Sequence, residues 1–142
     1  MNSKKKVHGS CLCGKVHYEF TESLGIFQYC HCERCRKFTG SAHAANIFVS
    51  PDNFNWVKGE NFVGKFELPD TKYFATSFCQ NCGSSLPWMI QTGKTMVVPA
   101  GTLDDDPGIK PTQNIFCAFD AKWYVPASDL KSFEELPVSR NS

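Results

Sequence analysis

Apolar and polar residues alternate over short stretches of this chain and then break off at clusters of Gly, Pro, Asn and Asp. Such alternating or β-rich segments cover 15–20 (Lys15-Val16-His17-Tyr18-Glu19-Phe20), 45–49, 63–66, 72–78, 96–100 and 114–119. A period of two puts successive side chains on opposite faces of a strand, so the chain is read as mainly β. Gln91-Thr92-Gly93-Lys94 has the residues of a hairpin turn, and Asp104 to Gly108, with Pro107 inside it, those of a loop. Helical spacing is confined to two short segments, 32–39 and 128–136, the second opened by Ser128 as a cap. No internal repeat or low-complexity tract interrupts the pattern.

With 142 residues, 42% of them hydrophobic and 20% charged, the chain has the length and composition of one folded domain with a real core. That domain is expected over 7–137, with 1–6, including Lys4 to Lys6, and 138–142 as flexible termini. Fifteen basic side chains against fourteen acidic ones leave a net charge of +1, which supplies no broad field for nucleic acid or an anionic membrane. No apolar run approaches the roughly 18 residues of a membrane span, and no apolar block follows the first basic residues. The expected location is cytoplasmic.

Eight cysteines change the picture. They are too few for a small disulfide scaffold, and in a reducing compartment clustered cysteines are metal ligands more often than cystines. Cys11 and Cys13 form C-x-C, Cys30, Cys32 and Cys35 form C-x-C-x-x-C, Cys79 and Cys82 form C-x-x-C, and Cys117 stands alone. At the start of a strand, Cys11 and Cys13 would share a face. Gly14 and Gly83 follow Cys13 and Cys82, where a metal knuckle needs a tight backbone. Four thiolates close a tetrahedral zinc site and three leave one corner open, so the seven clustered cysteines divide into four plus three. Spacing alone leaves open which pairs combine, because Cys32 and Cys35 could equally join Cys79 and Cys82 as a zinc ribbon. It also leaves a purely structural zinc module beside a catalytic site. Neither C-x-x-C lies in a βαβ pattern, which argues against thioredoxin-like redox chemistry.

The strings themselves say more than their spacing. Gly9-Ser10-Cys11-Leu12-Cys13-Gly14-Lys15-Val16, then Cys30-His31-Cys32-Glu33-Arg34-Cys35-Arg36-Lys37-Phe38-Thr39-Gly40-Ser41, then Phe78-Cys79-Gln80-Asn81-Cys82-Gly83-Ser84 resemble the glutathione-dependent formaldehyde-activating enzyme family, whose domain is shared with centromere protein V. Ala100-Gly101-Thr102-Leu103-Asp104-Asp105 and Lys122-Trp123 extend the resemblance to 7–137. It implies a zinc-pinned β-tent fold of packed antiparallel sheets with short helices. It also implies two zinc ions: a structural one on Cys11, Cys13, Cys79 and Cys82, and a catalytic one on Cys30, Cys32 and Cys35 with an open fourth position. Cys117 matches no ligand of the family and is read as a buried core thiol.

The resemblance further implies a carbon–sulfur lyase that joins formaldehyde to glutathione, giving S-hydroxymethylglutathione. The partners are then a small-molecule thiol, glutathione-like, and an aldehyde. The alternative is a non-catalytic zinc-stabilised interaction module. A zinc with three thiolates is net negative, so compensating cations are expected among Arg34, Arg36 and Lys37, with Arg36 preferred. His31, between two ligands, is a candidate proton shuttle, and Glu33 a candidate general base or a surface carboxylate. Gly40 and Ser41 are expected to shape the metal-carrying loop. His8, His17 and His43 have no ligand spacing. Phe48, Trp56, Trp88 and Trp123 are candidates for a pocket wall or for the core.

Overall fold

The computed structural model describes residues 4–137; the expected flexible residues at 1–3 and 138–142 lie outside them. Among the described residues there are three sheets and one short α-helix, α1 (Glu33–Thr39). The first sheet has the order β1 (Val7–Ser10), β2 (His17–Phe20), β5 (Phe54–Lys58). The second is five-stranded, in the order β11 (Gln113–Ile115), β3 (Ser23–Cys30), β4 (Ala44–Val49), β10 (Met96–Pro99), β9 (Trp88–Met89). The third is β6 (Val63–Glu67), β7 (Ala75–Cys79), β8 (Ser85–Leu86). Pairing is antiparallel except between β11 and β3, which run parallel. The mainly β reading is therefore right. No helix among the described residues is long and apolar enough to cross a membrane.

Alternation decides which face of the five-stranded sheet is core. Phe27 on β3, Ile47 and Val49 on β4, and Met96 and Val98 on β10 pack with Val7, Tyr18, Phe20 and Phe54 of the first sheet. Each such burial stabilises the fold by about 1.5–3 kcal/mol. The residues between them point the other way. Cys30 lies opposite Ala44, Gln28 opposite Asn46, and Phe48 opposite Val97, which in turn faces Trp88. Directly paired residues share a face, so this row forms the floor of the site described below.

Several sequence expectations shift. The alternation at 114–119 breaks after Ile115 because Phe116 adopts a left-handed backbone (φ 58°) and starts a 3-10 turn over Cys117–Phe119. The helix expected over 128–136 is absent; only a 3-10 turn, Ala127–Asp129, forms there. Leu130, Phe133 and Leu136 are 56%, 53% and 77% exposed. A helix this short gains its stability from packing one face, and these side chains have none to pack against. Cys11 and Cys13 lie in the turn after β1 rather than at a strand's beginning. The turn at 91–94 does join β9 to β10, with Ile90 N–H donating to Thr95 C=O at 3.0 Å. Lys4 to Lys6 are exposed, with Lys4 at 2.6 Å from Glu22 and Lys6 at 3.1 Å from Glu19.

One glycine sets how the first sheet closes. Gly59 follows β5 with φ +76°, and a Cβ there would lie 1.9 Å from the Lys15 carbonyl oxygen. Relief requires backbone movement. Gly59→Ala is expected to cost at least about 2 kcal/mol, read as a lower urea midpoint with an unchanged slope.

Candidate metal centres and active site

Cys11, Cys13, Cys79 and Cys82 bring four sulfur atoms within 4.8 Å of one another. Two hairpin-like knuckles do this. Cys11 N–H donates to Val16 C=O at 3.1 Å and Gly14 N–H to Cys11 C=O at 3.0 Å; Cys79 N–H donates to Ser84 C=O at 2.9 Å and Gly83 N–H to Cys79 C=O at 2.8 Å. Gly14 and Gly83 both sit in the left-handed region, at φ 79° and 80°, as tight knuckle backbones require. Leu12 N–H donates to Ser84 Oγ at 2.9 Å and ties one knuckle to the other. The Sγ separations are 3.6 Å for Cys11–Cys13 and 3.8 Å for Cys13–Cys79. Zinc–sulfur bonds of 2.3 Å at tetrahedral angles separate sulfurs by about 3.8 Å, so the spacing fits four ligands of one ion and is far too long for a disulfide.

Cys30, Cys32 and Cys35 form a second group within 4.8 Å, with Cys30 Sγ and Cys32 Sγ at 3.5 Å. Three different local structures supply them. Cys30 ends β3, Cys32 is the N-cap of α1 and accepts from Cys35 N–H, and Cys35 lies in the first turn. Gly40 closes the helix in a left-handed cap, donating to Arg36 C=O at 2.7 Å. Both groups share protons unequally. The hydrogen bond from Cys35, ahead of those from Cys32, draws the Cys30 thiol down to about 6, while that same bond and burial push Cys35 up. In the four-sulfur group, the Ser84 hydroxyl brings Cys82 down to about 5, Asn81 lowers Cys13, and burial raises Cys79. Thiols that ionise this readily are the form a metal binds.

The three-sulfur group opens on a cavity of about 830 Å³. Its floor is the sheet face already described: Gln28, Cys30, Asn46, Phe48, Trp88 and Val97. Phe74, Ile90, Ile115, Phe116 and Phe119 add an apolar wall. The charged lining residues balance, Arg34 and Lys72 against Glu33 and Asp70. The Arg34 guanidinium lies 6.0 Å from the Phe74 ring centroid. Gln28 and Asn46 are buried, and Gln113 Nε2 donates to Gln28 Oε1 at 2.6 Å, which leaves the Gln28 NH₂ group available as a donor.

Other candidates fall elsewhere. Arg36 does not line the cavity; Arg34 does. His31 is 1% exposed and turned from the cavity: its ring lies 4.9 Å from His43, which stacks on Tyr29 at 4.3 Å, on the opposite side of the sheet from Cys30. Trp56 packs in the core against Tyr18 and Phe54, and Trp123 is exposed away from the cavity. Cys117, expected as a core thiol, is exposed because the turn begun by Phe116 swings it outward. His8 pairs with Asp105 at 2.7 Å. The sequence reading missed Gln28 and Asn46, although Gln28 stands two residues before Cys30, the spacing that puts both on one strand face.

Comparison with known proteins places the chain among relatives. The sequence pattern of the family described as glutathione-dependent formaldehyde-activating enzyme matches residues 6–119. A curated relative from Schizosaccharomyces pombe, described as an uncharacterized lyase, is 31% identical over 86 residues, 61% of this chain and 59% of the relative. The chain thus spans about three fifths of that relative's length. A crystal structure of a Rhodobacter sphaeroides protein superposes with a TM-score of 0.59 at 21% identity, covering 75% of this chain and 98% of that one. The likeness to that structure is one of fold.

Proposed function

This chain belongs to the glutathione-dependent formaldehyde-activating enzyme family, and from that premise we propose that it is a zinc-dependent carbon–sulfur lyase acting on the adduct of a small thiol and an aldehyde. The observation that carries this reading is the three-sulfur group opening on a cavity of about 830 Å³. Cys30, Cys32 and Cys35 would hold the catalytic zinc and Cys11, Cys13, Cys79 and Cys82 a structural one. When bound at three thiolates, zinc offers an open position that ionises a thiol or polarises a carbonyl.

The chain's own residues do the rest. The Gln28 and Asn46 amides donate toward the aldehyde oxygen and hold its carbon near the sulfur trio. Gln28 lies two residues from Cys30, about 7 Å along the strand, a span a small adduct bridges. Glu33 accepts the thiol proton, and Arg34 offsets the negative charge of the trio. The aromatic wall of Phe48, Phe74 and Trp88 takes the body of the thiol and excludes water. Glu33, Asp70 and the trio together outweigh Arg34 and Lys72, so no spare lining cation meets a ligand carboxylate; that body is apolar, and glutathione, which carries two carboxylates, is the weaker substrate.

Exchange spectroscopy of formaldehyde with a thiol measures both directions of the reaction above its uncatalysed rate. The zinc-loaded protein is expected to accelerate exchange, more for benzyl mercaptan than for glutathione. Asn46→Leu is expected to lower kcat/KM about ten- to a hundredfold, since one amide donor of two remains. No acceleration with any thiol would leave the zinc-pinned interaction module as the better reading.

A further inference from the structure

A third cluster of metal-ligating atoms lies outside both cysteine groups. His31 Nδ1, Cys117 Sγ and Asp120 Oδ1 are within 4.8 Å of one another. They come from two segments: His31 from the turn after β3, and the other two from the 3-10 turn after β11 and its end. His31 Nε2 is 2.9 Å from Asn114 Oδ1. A carbonyl oxygen only accepts, so Nε2 carries a hydrogen, and the ring nitrogen left to ligate through a lone pair is Nδ1. That lone pair stands 2.7 Å from an Asp120 carboxylate oxygen without hydrogen-bond alignment, and both atoms are buried with no other polar partner. Neither atom completes a hydrogen bond, so the pair is open to a metal cation held jointly with Cys117.

We propose that His31, Cys117 and Asp120 form a third metal site, for zinc or a similar borderline divalent ion. A nitrogen, a thiolate and a carboxylate suit such an ion, and Asn114 supplies the outer hydrogen bond that fixes the tautomer of a ligating histidine. Zinc bonds of about 2 Å to nitrogen and oxygen require a ligand separation near 3.3 Å, so the His31–Asp120 pair opens by about half an ångström on loading. The Tyr124 ring, edge-on at 5.2 Å, and His43 hold the imidazole in place. The site ties the turn after β3 to the segment that carries Phe116 and Phe119, which wall the cavity on the other side. It therefore clamps that wall.

Cys117 is exposed and belongs to neither sulfur group, so alkylation read at its own peptide reports this site apart from them. The full chain is treated with iodoacetamide with and without Zn²⁺, and modification at Cys117 is followed by peptide mass. Zinc is expected to slow alkylation at least tenfold in the wild type, and Asp120→Asn to remove that protection. Native mass spectrometry is expected to count one ion fewer in both Cys117→Ala and Asp120→Asn than in the wild type. Equal alkylation rates with and without zinc, protection that survives in Asp120→Asn, or unchanged ion counts would each leave His31 and Asp120 a plain ion pair and overturn the proposal.

Discussion

Replacing Cys13 by alanine will destabilise the protein by roughly 5 kcal/mol or more, enough to unfold a domain of this size. Cys13 is an exposed residue with little packing to lose. On packing alone, an exposed substitution shifts stability by about 0.5 kcal/mol or less. If the four sulfurs hold a structural zinc as proposed, loss of one ligand is a different matter, because binding energy at such a centre is folding energy. Cys79→Ala is expected to fall at least as far, since Cys79 is also buried in the cluster with Cys11, Val16 and Leu86. Urea unfolding of the two variants side by side, with zinc present throughout, separates the explanations. A stable Cys13→Ala beside an unstable Cys79→Ala would mean that packing, not metal, holds the knuckles together.

Cys32→Ala is expected to behave in the opposite way, abolishing catalysed exchange while the fold persists. The Cys32 side chain caps α1 by accepting from Cys35 N–H. Losing that cap costs about 1 kcal/mol, a few degrees in melting temperature. The rate of thiol–formaldehyde exchange is expected to drop to the uncatalysed level because two sulfurs no longer retain the catalytic ion. Exchange measured at matched protein concentrations, with circular dichroism as the check on folding, decides the matter. If Cys32→Ala and Cys13→Ala lose fold and rate alike, the two cysteine groups do not divide the work as proposed.

Much of this arrangement was legible in the residues. Alternating or β-rich runs located β2, β4, β6 and β10 to within two residues at either end; β2 buries Tyr18 and Phe20 and turns His17 and Glu19 outward, whereas β10 is buried at every position. β3 escaped notice since Gly25, at positive φ, interrupts it and Leu24 and Ile26 are exposed. The helix at 32–39 was visible from local chemistry, whereas 128–136 had helical spacing but no partner surface, which only the fold could reveal. The cysteine strings pointed to a four-and-three division, and the structure draws the sulfurs together in those groups. The directions of His31 and Arg36 were not legible. Both neighbour ligands in sequence, yet a strand's alternation and a helix's turn carry adjacent side chains to different faces.

Cobalt substitution tests the central claim, that the trio at Cys30, Cys32 and Cys35 holds an ion with room for a guest sulfur. In the cobalt-loaded protein, adding benzyl mercaptan is expected to raise the thiolate-to-cobalt charge-transfer band, to saturate at one thiol per chain, and to have no effect in Cys32→Ala. A spectrum that excess thiol leaves unchanged, or a rise of equal size in Cys32→Ala, would contradict it.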